Sequence, residues 1–370
     1  MLIVAKIGST SLTDAEGEVD VSAVGHLCDQ VASLRAQGHL VVIVTSGAVI
    51  AGLSALRAAG RLAGEGRPRD LQMLQAASAV GQSRLMGVYE AQLRQRSLVA
   101  GQVLLTFGDF VDRSRYLNAR RTFSHLLDLG AVPIVNENDA VADEEIRFGD
   151  NDRLAALVAN LLGADLLVLL TDTAGLLDYA SHFDGEATLI EEVIEIDHEI
   201  ENLAVDSANG IGSGGMLSKL AAAKMASWSG VRVVIAAANR SQVLEDAVAM
   251  TPGVGTIVHP RPREQRIGAR KLWIAFALGA SGKVIVDAGA HAALVKNGGS
   301  LLAAGVLGAK GAFDAGDAVE IAGPDETVFA KGLVRIGVDS LRRWAGLRTA
   351  ELPRDVPSEV VHRDDMVIMV

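Results

Sequence analysis

Over the first 240 residues, short apolar runs alternate with longer stretches of helical periodicity, and this alternation narrows the possible folds more than any other feature. The runs are Leu2–Ala5, Val41–Val44, Val103–Leu105, Val132–Val135, Leu166–Leu170 and Val231–Ala236. They are rich in Val, Ile and Leu without strict in-out alternation, the pattern of strands covered on both faces. Helical patterns lie near 21–37, 70–96, 114–129, 151–163 and 215–229. This order predicts an α/β fold, a mainly parallel sheet with helices on both sides.

After Met250 the texture changes. Thr251-Pro252-Gly253 opens a stretch with Pro260, Pro262 and several basic residues, ending near Lys271. From Trp273 onward, short runs (Lys283–Val286, Ala318–Ile321, Val328–Val334) are separated by Gly-rich turns, which reads as a small mostly-β domain. The expected division is a catalytic domain over 1–258, a linker over 259–274 and a second domain over 275–370. A chain of 370 residues, 49% hydrophobic, suits two such cores.

Charge and cysteine usage bound the function classes. Residues 1–260 hold 19 Lys/Arg against 32 Asp/Glu, whereas 261–370 hold 15 against 13. An acidic body is a poor nucleic-acid binder, and a net of +2 in the tail is too weak for a dedicated one. The single cysteine, Cys28, sits in the apolar helical pattern of Val24, Leu27, Val31 and Leu34 and reads as packing. The apolar N-terminal run is too short for a signal peptide, and the stretch Leu166–Leu177 is interrupted by Asp172. A soluble, cytoplasmic protein with no membrane partner is expected.

Four runs lead into small polar segments: Lys6-Ile7-Gly8-Ser9-Thr10, Thr45-Ser46-Gly47-Ala48, Asn136-Glu137-Asn138-Asp139 and Thr171-Asp172-Thr173-Ala174-Gly175. In open α/β sheets the carboxyl edge of the strands carries the ligand. Gly210 to Gly215 matches G-x-G-x-x-G, but the approach from Glu199 to Asn209 is acidic and polar, not a strand, and no acid follows about 20 residues on. What remains is Gly212-Ser213-Gly214-Gly215-Met216-Leu217-Ser218-Lys219, opening a helix with Lys219 in its first turn or so, suited to a phosphate. Lys6, at the end of a buried strand, is costly unless paired. Together Lys6 and Lys219 could flank a transferring phosphoryl group. Of the clusters Asn136–Asp139 and Gly149-Asp150-Asn151-Asp152, the second exceeds what one helix cap requires; the two could take an amino acid's ammonium and carboxylates, hold Mg²⁺ through water, or orient the lysines. His362-Arg363-Asp364 lacks the partners of a protein-kinase loop, and the eight histidines show no metal-ligand spacing.

The segments Lys6–Thr10, Val44–Ala48, Ala79-Val80-Gly81-Gln82, Leu117-Asn118-Ala119-Arg120, Pro133–Val141, Gly149–Asp152, Leu170-Thr171-Asp172 and Gly212–Lys219 together resemble the glutamate 5-kinases of the amino-acid-kinase family. From about residue 275 the chain is similar to the PUA domain appended to bacterial members, including the ending Val361 to Met366. The departures are Ser213 where Thr is expected and a longer segment over Gly60–Asp70. The resemblance implies a three-layer αβα sandwich plus a PUA-like domain, and ATP-dependent phosphorylation of the γ-carboxylate of L-glutamate, the first step of proline biosynthesis. It implies Ser46, Asp139 and Asn151 at glutamate. Lys6, Thr171, Asp172, Ser213, Gly214, Gly215, Met216, Leu217, Ser218 and Lys219 fall to ATP. Lys6, Lys219 and Asp152 are the catalytic set, with Asp152 orienting the lysines and Mg²⁺ carried by the ATP phosphates rather than by protein ligands. Proline as feedback inhibitor and a homo-oligomer, dimer or tetramer, are implied by the same resemblance. The alternatives are an aspartokinase or acetylglutamate kinase, or an RNA-binding protein acting through the tail; RNA is not expected as a partner.

Overall fold

The computed structural model describes residues 1–14, 16–64, 66, 68–141, 151–178, 187–206, 213–353 and 356–369. Of the residues singled out above, Gly149, Asp150 and Asn209 to Gly212 lie outside that set. The chain divides into two compact units, Met1–Arg266 and Ile267–Val370.

In the first unit, β1 (Leu2–Ile7), α1 (Val21–Ala36), β2 (Leu40–Val44), α2 (Ala48–Ala58), α3 (Leu71–Gln95) and β3 (Ala100–Leu105) come first. Then follow α4 (Gly108–Val111), α5 (Arg113–Asp128), β4 (Val132–Glu137), α6 (Asn151–Leu162) and β5 (Leu166–Thr171). A two-residue hairpin, β6 (Leu177–Asp178) with β7 (Thr188–Leu189), precedes β8 (Glu192–Val193), α7 (His198–Asp206) and α8 (Ser213–Ser229). The unit closes with β9 (Arg232–Ala237), α9 (Val243–Ala249) and β10 (Thr256–Val258). The strands form one sheet in the order β3-β4-β2-β1-β5-β9-β10-β8. Its pairs are parallel except β9 with β10.

All six apolar runs are strands of this sheet, and the five helical patterns are α1, α3, α5, α6 and α8 to within two residues. The period-2 rule sorts the side chains. On β1, Ile3, Ala5 and Ile7 point to the face covered by α1, α3 and α9, where they meet Val24, Leu27, Tyr89 and Leu244. Val4 and Lys6 therefore point to the other face, where α6 packs on β1 and β5 and α8 packs on α6 and β9. Cys28 belongs to the first face, and burial pushes its thiol up to about 12, so it is packing and not a nucleophile.

α2 follows Ser46-Gly47, where the sequence shows only a ligand-edge turn. Gly47 caps it at φ 100°, a left-handed conformation that favours glycine. α2 and α3 then cross at backbone contact. A Cβ on Gly52 would lie 1.8 Å from the Ala77 carbonyl oxygen, and one on Gly81 would lie 1.7 Å from that of Ala48. The loop after α2 is tied back by Arg57, whose Nε and Nη2 donate to the carbonyls of Gly64 and Gly66, each at 2.8 Å. On α3, Leu74, Ala77 and Leu85 are buried, whereas Val80 is on the exposed side.

The second unit begins with α10 (Ala269–Leu272), β11 (Gly282–Val286), α11 (Ala288–Asn297), β12 (Leu301–Leu302) and β13 (Val306–Gly311). It continues with β14 (Ala318–Ala322), β15 (Val328–Val334), α12 (Val338–Trp344) and β16 (Glu359–Ile368). Its sheet runs β12-β16-β15-β14-β11-β13, antiparallel except for β11 with β14. Val284, Val319, Ile321, Phe329, Leu341 and Val360 build a core of its own. Among the described residues no helix is long and apolar enough to cross a membrane.

The glycine crossing is testable. Gly81→Ala forces a methyl group into backbone that has nowhere to yield, at a cost of about 3 kcal/mol. The midpoint of thermal unfolding, followed by circular dichroism, should fall by roughly 5–10 °C. An unchanged midpoint would show that α2 and α3 do not touch there.

Candidate active site

Lys6 is the sixth residue of the chain and the last even position of β1, so it points into the α6 face. It is 3% exposed, and a buried ammonium without a partner is not tolerated. Its Nζ lies 2.5 Å from Oδ1 of Asp152, which is 1% exposed in the first turn of α6. The second carboxylate oxygen of Asp152 takes Nζ of Lys219 at 3.2 Å. One carboxylate therefore bridges two lysines, and the buried trio carries a net charge of about +1.

Lys219 reaches this point from α8. That helix begins at Ser213, two residues before its expected start near Gly215, so Lys219 stands in the second turn and not the first. Helical side chains lean toward the N-terminus, and Nζ of Lys219 folds back to 3.4 Å from the Gly215 carbonyl. The cation is thus held near the opening of α8, where free backbone N–H groups favour an anion. In that opening, Gly215 and Leu217 are exposed and Met216 and Ser218 half-buried, while Ser213 and Gly214 start the helix.

Next to Asp152 in sequence, Asn151 faces a second feature. Its Nδ2 donates to the Thr45 carbonyl at 2.6 Å, to Oδ1 of Asn136 at 2.6 Å and to Oγ of Ser46 at 3.1 Å. Asn136 Oδ1 also accepts the Glu137 backbone N–H at 2.9 Å. Behind Thr45, its hydroxyl pairs with the buried Tyr89 hydroxyl at 3.0 Å, and burial holds that phenol well above its ordinary range. Ser46, Asn136, Glu137, Asp139 and Asn151, together with Ser9 and the first residues of α2, line a polar cleft of about 170 Å³. Asp139 accepts a hydrogen bond from Oγ of Ser78 on α3 at 2.8 Å. The three residues expected at an amino-acid substrate are therefore in one cleft. Asn151 and Asp152, an obvious pair for a helix cap, are spent instead on the cleft and on the lysines.

Gly8 joins the two features: a Cβ there would lie 3.8 Å from Lys6 Nζ, and its neighbour Ser9 lines the cleft. Thr171 ends β5, the neighbour of β1 in the sheet, and Asp172 follows it. The Thr171 hydroxyl donates to Oδ1 of Asp172 at 3.0 Å, and both line a cavity of about 390 Å³ on the α1 side with Ile7, Asp20, His26 and Asn239. Lys6, Asp152 and Lys219 are not among the residues lining it. Among the described residues no group of three or more His, Cys, Asp or Glu side chains is placed to hold a metal ion. The donor set of the trio, two ammonium groups around one carboxylate, suits a polyphosphate.

Sequence reasoning named Thr45 and Asn136 only as parts of ligand-edge segments and passed over Ser78 and Tyr89. Ser78 and Tyr89 are single polar atoms inside an apolar helical pattern, a signal too weak to separate from packing.

Replacing Asp152 by Asn keeps the shape and removes the counter-ion of two buried ammonium groups. Breaking a buried pair in this way costs about 3–5 kcal/mol. Asp152→Asn should lower the melting midpoint by roughly 10 °C and abolish turnover. A variant as stable as the parent would mean that the bridge does not form in solution.

Residues 1–237 match the amino acid kinase family, and residues 282–356 match the PUA domain. The glutamate 5-kinase of Trichlorobacter lovleyi is 43% identical over 371 residues, covering 99% of this chain and 96% of its own. That of Thioalkalivibrio sulfidiphilus is 44% identical with the same coverage, and that of Geobacter sulfurreducens 42% identical, covering 99% and 97%. A mainly parallel sheet between helical layers, a separate β-rich unit and end-to-end similarity of this degree agree: the chain belongs to the amino acid kinase family and, within it, to the glutamate 5-kinases.

Proposed function

We propose that the first unit transfers the γ-phosphoryl group of ATP to the γ-carboxylate of L-glutamate, giving L-glutamyl 5-phosphate and ADP. The observation that carries this reading is the adjacency of Asn151 and Asp152. One holds the polar cleft and the other holds the two buried cations, so substrate and phosphate sites abut at the first turn of α6.

In this reading the cleft takes glutamate. Asp139 accepts its ammonium group, while Ser46 and the amide of Asn151 donate to its carboxylates. A carboxylate with an ordinary pKa near 4.3 is ionised at neutral pH, so no general base is required. A lone pair of the γ-carboxylate oxygen forms the new O–P bond, and the bond from the γ-phosphorus to the bridging oxygen breaks, leaving its electrons on ADP. Lys6 and Lys219 face the phosphates and neutralise charge as it moves, and Asp152 holds them at a fixed separation. Ser213, Gly214, Gly215, Met216, Leu217 and Ser218 present the opening of α8 to the phosphates. Thr171 and Asp172 are assigned to the nucleotide on their place at the carboxyl edge of β5. No protein ligand set for Mg²⁺ is assigned; carried by the ATP phosphates, it would offset part of their charge. The family's proline feedback and its dimeric or tetrameric assembly come to this chain with the same reading. All of these groups lie in the first unit, so we assign catalysis to it and not to the PUA domain.

The direct test is to supply ATP with glutamate, aspartate or acetylglutamate and trap the acyl phosphate as a hydroxamate. Product from glutamate alone is expected; product from either of the others in its place overturns the substrate assignment. Lys6→Ala and Lys219→Ala should each reduce kcat by about two to three powers of ten, with little change in glutamate KM. A variant that turned over normally would remove that lysine from the mechanism.

Asp139→Ala and Asn151→Ala should act on binding. Losing a charged or polar partner costs about 1.5–3 kcal/mol, so the KM for glutamate should rise roughly ten- to a hundredfold while that for ATP holds. An equal rise in both would assign these residues to the nucleotide.

A further inference from the structure

We infer that Ser78 is a positioning residue for the amino-acid substrate: its hydroxyl holds the Asp139 carboxylate in the orientation that receives the substrate's ammonium group. The inference rests on the assignment of Asp139 to glutamate and deepens it.

Ser78 is 1% exposed on α3, and its Oγ donates to Oδ2 of Asp139 at 2.8 Å. A hydroxyl aimed at one carboxylate oxygen stabilises the ionised form and restricts the side chain's rotation. Asp139 itself stands two residues beyond β4, in a turn and only partly buried, so its own backbone constrains it less than a strand would. The donor, by contrast, is rigidly placed. Ala77, beside Ser78, and Gly81, one turn on, are in backbone contact with Gly52 and Ala48 of α2. Ala48 lines the same cleft as Asp139. The packed helix pair therefore forms one wall of the cleft and also carries the hydroxyl that steers the acid in it. Ser78 is not itself among the residues that line the cleft, and its contact with that lining is through Asp139.

The test is a double-mutant cycle on the full-length enzyme, with glutamate and ATP kinetics and thermal melting on each form. Ser78→Ala should raise the KM for glutamate about tenfold and leave the KM for ATP, kcat at saturating glutamate and the melting midpoint close to the parent's. Ser78→Cys, a weaker donor of similar shape, should fall between. In an Asp139→Asn background, Ser78→Ala should add less than twofold, because the group it positions has already lost its charge. Equal losses in both backgrounds, a fall in kcat together with a lowered melting midpoint, or an unchanged glutamate KM would each overturn the positioning role. If Asp139→Asn raises the glutamate KM and Ser78→Ala does not, the inference alone fails. If Asp139→Asn has no effect, the assignment of Asp139 to glutamate fails and the positioning role goes with it.

Discussion

The carboxylate of Asp152 is the point on which the site depends. Lys6 could not remain at the end of a fully buried parallel strand, nor Lys219 fold into the interior, without a negative group between them. The bridge lets two cations coexist in a low-dielectric place, and because one carboxylate serves both, it leaves a positive balance of about one charge. In the proposed function a polyphosphate meets that positive balance. The same residue ties three elements together: β1 supplies Lys6, α6 supplies Asp152 and α8 supplies Lys219.

The cleft beside it is held by a different device. Beside the carboxylates of Glu137 and Asp139, its groups are amides, hydroxyls and backbone carbonyls around Asn151, whose single amide nitrogen is shared among three acceptors. Behind them stands the α2–α3 pair, in which two glycines remove the side chains that would separate the helices. Close packing makes this wall rigid, since backbone in contact with backbone has no rotamer to change. Charge clamps one half of the site and steric contact the other, and the first turn of α6 belongs to both.

None of the residues named in that arrangement belongs to the second unit. It has its own sheet and its own core, and the residues that carry the chemistry precede it in the chain by more than 40 positions. Cys28 in the first unit is likewise removed from chemistry, its thiol driven up by burial among the apolar residues of α1 and β1.

The sequence alone determined six strands of the first sheet, the class of fold and the candidate residues. Six apolar runs and five amphipathic patterns are local signals, and each reports its own burial directly. The lysines and the acidic-amide clusters were legible because charge and amides at strand ends are costly without a purpose. Strands β8 and β10, of two and three residues, and the helix α2 were not legible, because short elements take their form from neighbours and not from their own periodicity. The resemblance implied that Asp152 orients the two lysines, but only the tertiary structure decided how: one carboxylate oxygen takes Lys6, 146 positions away, and the other takes Lys219, 67 positions away. The tertiary structure alone placed Ser78 against Asp139. These are matters of parity across the sheet and of which helix crosses which. No local pattern encodes them, because they depend on the sum of all the packing contacts at once.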